Sequence, residues 1–323
     1  MSSFSIKATA KAVPEKIVTN DDLAEIMDTS DEWISRRTGI KERRVAVSET
    51  TTSLCAEVAS KLLDKAGVDA SNIDFIIVGT MSSDYQTPAT AAAVQGIIGA
   101  NNAIAFDINA ACSGFVYGSY TMQSLLNSKP NSLGIVIGGE QLSKLINWHD
   151  RTTAVLFGDG AGGMLVSNQG SGEVLASNLK TYGAQGKALL AGHMIGDEHF
   201  GKVDDQTDQY FHMDGREVFN FATKNVPNSI KEALSEANID ANDVNYFILH
   251  QANARIVKNV ARKMKVDDQK FPINIDHYGN TAAASEPILL SEMMENGLIA
   301  KGDIIVLSGF GGGLTTGTII LRY

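Results

Sequence analysis

Cys112 sits in FDINAACSGFVYGSYTMQSLL, where an apolar strand end gives way to small residues and then to a helix with apolar side chains at Phe115, Val116, Tyr120, Met122 and Leu125. This places the thiol at a helix N-terminus, where aligned peptide dipoles and free N–H groups stabilise an anion. They are expected to lower the thiol pKa and yield a thiolate that attacks carbonyls. Ala110, Ala111, Ser113 and Gly114 leave room for a substrate beside the sulfur. Read locally, Cys112 is equally a small buried hydrophobe. Cys55, in TTSLCAEVASKLL, falls on the inner side of an amphipathic helix and reads as core. His250 ends the apolar run YFILH, and functional groups concentrate where strands of open α/β sheets stop; alone, it also fits a hydrogen-bonded core residue. Asn280 in HYGNTAAAS could be a turn former and no more.

Two glycine clusters compete for attention. GDGAGG, Gly158 to Gly163, satisfies the dinucleotide pattern and follows the apolar segment TAVLF, read as a strand. That fingerprint needs a helix directly after the glycines. MLVSNQGSG follows instead, so a tight glycine hairpin is the better reading. FGGGLTTG, Phe310 to Gly317, follows the strand IIVLSG and is either a hairpin or a loop whose exposed backbone N–H groups form an oxyanion hole. The histidines, at 149, 193, 199, 212, 250 and 277, show no HExxH or HxH spacing, so no metal site is expected.

The elements that must position these residues show an internal repeat. LDKAGVDASNIDFIIVG, Leu63 to Gly79, matches LSEANIDANDVNYFILH, Leu234 to His250, at an offset of 171, with Leu, Ala, Asp, Ala and Ile identical. The same offset carries LGIVIG, Leu133 to Gly138, onto IIVLSG, Ile304 to Gly309. Each copy reads as a helix end, a polar turn and a short apolar strand. Near-continuous β-branched strands alternate with helices predicted over 53–66, 114–127, 219–236 and 284–296. This is the signature of an α/β fold with sheets buried on both faces. The boundary between halves is placed at SNQGSG, Ser167 to Gly172, giving units 1–170 and 171–323. The polar stretch Gly196 to Asp208 reads as a surface flap.

With 323 residues and 44% apolar content the chain can bury a large core. Apolar runs such as that around Ile73 to Met81 fall far short of the ~18 to 20 residues that cross a bilayer. The start MSSFSIKATAKAV lacks the apolar stretch, ~7 to 15 residues, of a signal peptide. A soluble, cytoplasmic protein is expected. Two cysteines and no CxxC argue against structural disulfides. A formal charge of −10 disfavours nucleic acid.

The ordered segments TSDEWISRRTGI (from Thr29), DINAACSGF (around Cys112), DRTTAVLFGDGAGG (from Asp150), HQANARI (from His250), YGNTAAAS (around Asn280) and GFGGGLTTG resemble the thiolase-fold condensing enzymes. They are most similar to the β-ketoacyl-acyl-carrier-protein synthase III family, over nearly the full length. The resemblance implies a five-layered αβαβα fold of two similar halves and a homodimer. It implies a Cys112, His250, Asn280 triad that joins an acyl group taken from acyl-CoA to a decarboxylating malonyl unit on acyl carrier protein, with no permanently bound cofactor. Trp33 and Arg151 would stack on the adenine of coenzyme A and Arg37 would meet its phosphates, with Asn253 and Gly215 as further contacts. Gly312 and Cys112 would form the oxyanion hole, and Phe310 and Thr87 would shape the pocket. ARIVKNVARKMK, with Arg255, Lys258 and Arg262, would dock the acidic carrier protein together with Gln251. Thr87 stands where many members carry a bulky aromatic, which implies bulkier starters. Glu286 replaces a usually apolar residue and Thr316 a common Trp.

Overall fold

The computed structural model describes residues 3–194 and 208–323. The segment read as a flap therefore lies outside the described residues, apart from Asp208. The strands Ser5–Ala12 (β1), Phe75–Gly79 (β2), Ile104–Ile108 (β3), Leu133–Glu140 (β4) and Gly160–Ser167 (β5) form one sheet in the order β1-β5-β4-β2-β3. A second sheet, in the order β6-β9-β8-β7, is built from Glu173–Thr181 (β6), Tyr246–Leu249 (β7), Ile304–Gly311 (β8) and Thr315–Arg322 (β9). Pairing repeats between them. β2 is parallel to β4 as β7 is to β8, while β5 and β9 run antiparallel to both of their neighbours. The second sheet has no counterpart of β3 among the described residues.

Five layers follow from alternation along the strands. In β2 and β4, Ile77 and Val136 face inward, where they share a core with Ile248, Ile305 and Leu307 of the second sheet. Ile76, Val78, Ile135 and Ile137 face outward onto Thr51–Ala66 (α2) and Thr90–Ile98 (α3). The other sheet presents Phe247, Val306 and Ile320 to Gly215–Ala237 (α5) and Ala254–Met264 (α6). Between the sheets lie Gly114–Ser128 (α4) and Ser285–Glu295 (α7), whose Phe115, Met122, Leu289 and Met293 join the inner core. Burial on both faces is why these strands read as unbroken apolar runs.

The repeat has a steric reason. A Cβ added at Gly138 would overlap the carbonyl oxygen of Ala283, and one added at Gly309 would stand 3.2 Å from Cα of Ser113. Each of these repeat-related glycines thus admits the start of the central helix from the opposite half. The offset of 171 also aligns two turns, Ala111–Ser113 and Ala282–Ala284, which precede α4 and α7. Both open on an alanine in the left-handed region, φ 46° at Ala111 and 44° at Ala282.

Two local readings need correction. TAVLF is no strand: Arg151–Ala154 forms a short helix capped by the Asp150 side chain. GDGAGG forms no hairpin either, because Gly160 to Gly163 lie within β5. There the missing side chains let α7 approach, since a Cβ at Gly162 would stand 2.6 Å from the Ile288 nitrogen. The helix required for dinucleotide binding is not present after these glycines.

Candidate active site

A cavity of about 780 Å³ opens where the starts of both central helices meet the ends of β7 and β8. Its wall includes Cys112, His250, Asn280, Phe310 and Gly312, together with Asn253 and Gly215. Three of these come from places far apart in the chain and are all buried, Cys112 to 5% exposure, His250 to 2% and Asn280 to 7%.

Cys112 occupies the middle of the turn Ala111–Ser113, directly before α4. The dipole of α4 favours a thiolate there, but burial pushes the thiol pKa up, and the Glu140 carboxylate adds to the rise. The expected lowering is therefore reversed in the unliganded protein, because the cost of removing a thiolate from water outweighs the gain from the helix end. The hairpin Gly312–Leu314 between β8 and β9 brings its backbone beside this turn. A Cβ at Gly311 would stand 2.6 Å from the Cys112 nitrogen, and one at Gly312 would stand 3.5 Å from Ala111 Cβ. Gly311, absent from the sequence-based set of site residues, approaches Cys112 more closely than Gly309 does.

His250 follows the last residue of β7, its N–H donating to the Ser308 carbonyl at 2.9 Å. Its Nδ1 lies 2.7 Å from Ser285 Oγ, so Nε2 is the nitrogen left to the cavity. The Phe310 ring meets it edge to face at 5.1 Å. Burial lowers the imidazole pKa to about 3, which keeps the ring neutral. Asn280 is anchored at both ends of its peptide unit, with its N–H donating to Leu156 O at 2.8 Å and its carbonyl accepting from Gly158 N at 3.0 Å. Its side-chain Oδ1 accepts from Ala282 N at 2.9 Å, which turns the amide NH2 toward the cavity. Asn109, at the 171-residue offset, does the same in the first half, accepting from Ala111 N at 3.2 Å. The arrangement sets a thiol, a neutral imidazole and a carboxamide around one space.

Two family models match the chain, 3-oxoacyl-(acyl-carrier-protein) synthase III over residues 106–183 and its C-terminal part over 234–323. A β-ketoacyl-(acyl-carrier-protein) synthase III from Lactobacillus helveticus is 53% identical over 322 residues, covering 99% of this chain and 98% of the relative. The chain belongs to the 3-oxoacyl-(acyl-carrier-protein) synthase III family. The synthase III of Levilactobacillus brevis is 50% identical, with 99% of each chain covered. The crystal structure of synthase III from Aquifex aeolicus is 38% identical, with TM-score 0.93, 99% of this chain and 100% of that one covered. The layered architecture is the thiolase-like fold of this synthase III family.

The remaining residues implied by resemblance to synthase III fall into three groups. Asn253 caps α6, accepting from Arg255 N at 2.8 Å, and also donates to Arg37 O at 3.1 Å, tying the Trp33 helix, Asp31–Thr38 (α1), to the cavity rim. Half-buried Trp33 has two guanidiniums over its ring, Arg37 at 4.4 Å and Arg151 at 5.4 Å, and Arg151 is held by Asp28 at 3.0 Å. A stacked base needs about 3.5 Å on each face. A base entering between Trp33 and Arg151 must therefore displace Arg151 from Asp28. On α6, Arg255, Lys258 and Arg262 are exposed while Ile256, Val257, Val260 and Met264 are buried.

One expectation fails sterically, and a second is not met within the cavity of this chain alone. Gln251 is buried to 1% exposure, its Nε2 donating to Leu249 O at 2.8 Å and its Oε1 accepting from Asn274 N at 3.3 Å. It holds loops together beneath the surface and cannot face a docking protein. Thr87 is exposed on the loop between β2 and α3, and its neighbour Gln86 lines the cavity of this chain in its place. Among the described residues no group of three His, Cys, Asp or Glu side chains could hold a metal ion, and no helix is long and apolar enough to cross a membrane.

Proposed function

We propose that this chain makes β-ketoacyl-acyl carrier protein by decarboxylative condensation of an acyl-CoA starter with malonyl-acyl carrier protein, through an acyl group carried on Cys112. The reading is carried by one observation: a buried thiol at a helix start shares a cavity with two side chains, His250 and Asn280, each tethered through one polar atom so that Nε2 and the amide NH2 are left to the cavity.

In the first half-reaction the Cys112 sulfur attacks the thioester carbonyl, and backbone N–H groups of Cys112 and Gly312 hold the developing oxyanion. The new C–S bond replaces that to coenzyme A, and the proton given up by Cys112 goes to the departing thiolate. A thiol with raised pKa is compatible with this exchange, since no free thiolate need accumulate. In the second half-reaction the C–C bond to the malonyl carboxylate breaks, CO2 leaves, and its electron pair forms an enolate whose oxygen accepts from His250 Nε2–H and Asn280 Nδ2–H. The carbanion then attacks the acyl-Cys112 carbonyl, and the thiolate departs as the β-ketoacyl product forms. A neutral imidazole suits this role, because it donates without transferring its proton.

The two sheets, with strands within residues 5–167 and 173–322, support a division into halves 1–170 and 171–323, the first supplying the thiol and the second both donors. The stack of Trp33 with Arg37 and Arg151 supports entry of the nucleotide end of coenzyme A along that rim, past Asn253 and Gly215. The exposed cations of α6 support docking of an acidic carrier protein, by a homodimer working in the cytoplasm. Incubation with acyl-CoA should release coenzyme A and add one acyl mass to the peptide containing Cys112, and later malonyl-acyl carrier protein should discharge it as β-ketoacyl product. An unlabelled Cys112, or a Cys112→Ala variant that still condenses, would refute the proposal.

A further inference from the structure

Glu286 is wholly buried in the first turn of α7, where the other half places Phe115 at the same repeat position. Its Oε1 has no hydrogen-bond partner, and it forms no ion pair among the described residues. Oε2 lies 3.0 Å from Ser285 Oγ, the atom that also meets His250 Nδ1 at 2.7 Å and accepts from Gln251 N at 3.2 Å.

A hydroxyl has one proton and two lone pairs. The Gln251 N–H can only donate, so it fills one lone pair. Of the other two partners, one must therefore donate to Ser285 Oγ and the other must accept from it. Either a Glu286 Oε2 without a proton accepts while His250 Nδ1–H donates, or a Glu286 protonated on Oε2 donates while Nδ1 accepts; a proton on Oε1 instead would be a buried donor with no acceptor. The first arrangement leaves a bare Nε2 toward the cavity, and the second leaves Nε2–H there. A wholly buried carboxylate with one unpartnered oxygen and no cation is strongly disfavoured. Burial accordingly holds the Glu286 carboxyl well above the usual carboxylate range.

We propose that Glu286, as the neutral acid, is a positioning residue that acts through Ser285 to fix His250 with its proton on Nε2, facing the cavity. Its use in catalysis rests on the reading of His250 as a donor to the enolate.

Nitrogen-15 spectra of histidine-labelled protein report which ring nitrogen bears the proton, with His250→Gln assigning the signal. The wild type should show Nε2–H. Glu286→Gln, whose NH2 can replace the acid as donor to Ser285, should keep that tautomer and near-normal CO2 release from malonyl-acyl carrier protein. Glu286→Ile leaves the hydroxyl free to turn either way. It should give mixed tautomers and a loss of about 10- to 100-fold in CO2 release, as for other partners that orient a histidine, with acylation of Cys112 unchanged. Nδ1–H in the wild type would overturn the proposal, as would a Glu286→Ile protein with a single Nε2–H tautomer and full rate. Undiminished CO2 release by His250→Ala would instead refute the donor role of His250 while leaving the tautomer to the spectrum.

Discussion

His250 and Asn280 each use one polar atom as a tether, to Ser285 and to Ala282 N, and so present the other to the cavity as a donor. Rotation is blocked before substrate arrives, which is what makes a donor effective toward charge that appears only during reaction. Asn280→Ala should slow CO2 release from malonyl-acyl carrier protein by ~10² to 10³ while leaving the initial acylation of Cys112 near wild type; equal losses in both steps would contradict the assignment. Glu140 illustrates a different residue-scale cost. It is buried beside β2, accepting from Thr80, Ser82 and the Met81 N–H, and burial raises its pKa to about 7. The folded state thus holds a proton that the unfolded chain releases above its ordinary value of 4.5. Stability should be undiminished below pH 4.5, fall as pH rises toward 7 and level off beyond, by about 3 kcal/mol in all. Urea unfolding at pH 5 and pH 8 should show a smaller fall for Glu140→Gln than for the wild type, and equal falls would contradict the assignment. Cys112, His250 and Asn280 stand out locally because each ends an apolar run or opens a small-residue turn, but only the family resemblance joins them as a triad. Ser285 and Gly311 are visible only as members of small-residue and glycine-rich segments, and Glu286 only as a departure from a usually apolar position, since what each does depends on what it touches across the interface between halves.

At the scale of elements, α6 combines a buried apolar stripe with exposed Arg255, Lys258 and Arg262, and its N-cap Asn253 lines the cavity. A protein docked on this face would lie next to the cavity mouth while the rest of the surface, with a net charge of −10, repels acidic partners. Charge reversal at Arg255 and Lys258 should raise KM for malonyl-acyl carrier protein roughly tenfold and weaken its salt dependence, without slowing acyl-CoA loading. Steady-state kinetics at low and high salt would check this. Periodicity located the helices to within a few residues, although α7 is buried almost all round between the sheets. It failed at TAVLF, where an apolar segment packs as one helical turn and a loop around the Asp150 cap, and at Gln251, a polar residue whose hydrogen bonds are met below the surface.

For the molecule as a whole, the inner core takes side chains from both sheets and both central helices, so neither half encloses its own hydrophobic surface. Heat unfolding should be one cooperative transition with calorimetric and van't Hoff enthalpies in agreement, and residues 1–170 expressed alone should not give native-like hydrogen-exchange protection. Two resolved transitions would indicate independent halves. The α/β class, the duplication at an offset of 171 and the order of its helices and strands were determined by the sequence alone, because apolar periodicity and glycine placement are local properties of the chain. Only tertiary structure decided that Gly138 and Gly309 each seat the opposite half's helix, that Thr87 faces outward, and that burial turns the Cys112 thiol away from easy ionisation. Those outcomes depend on which surfaces meet and how much water they exclude, and no stretch of sequence contains that information by itself.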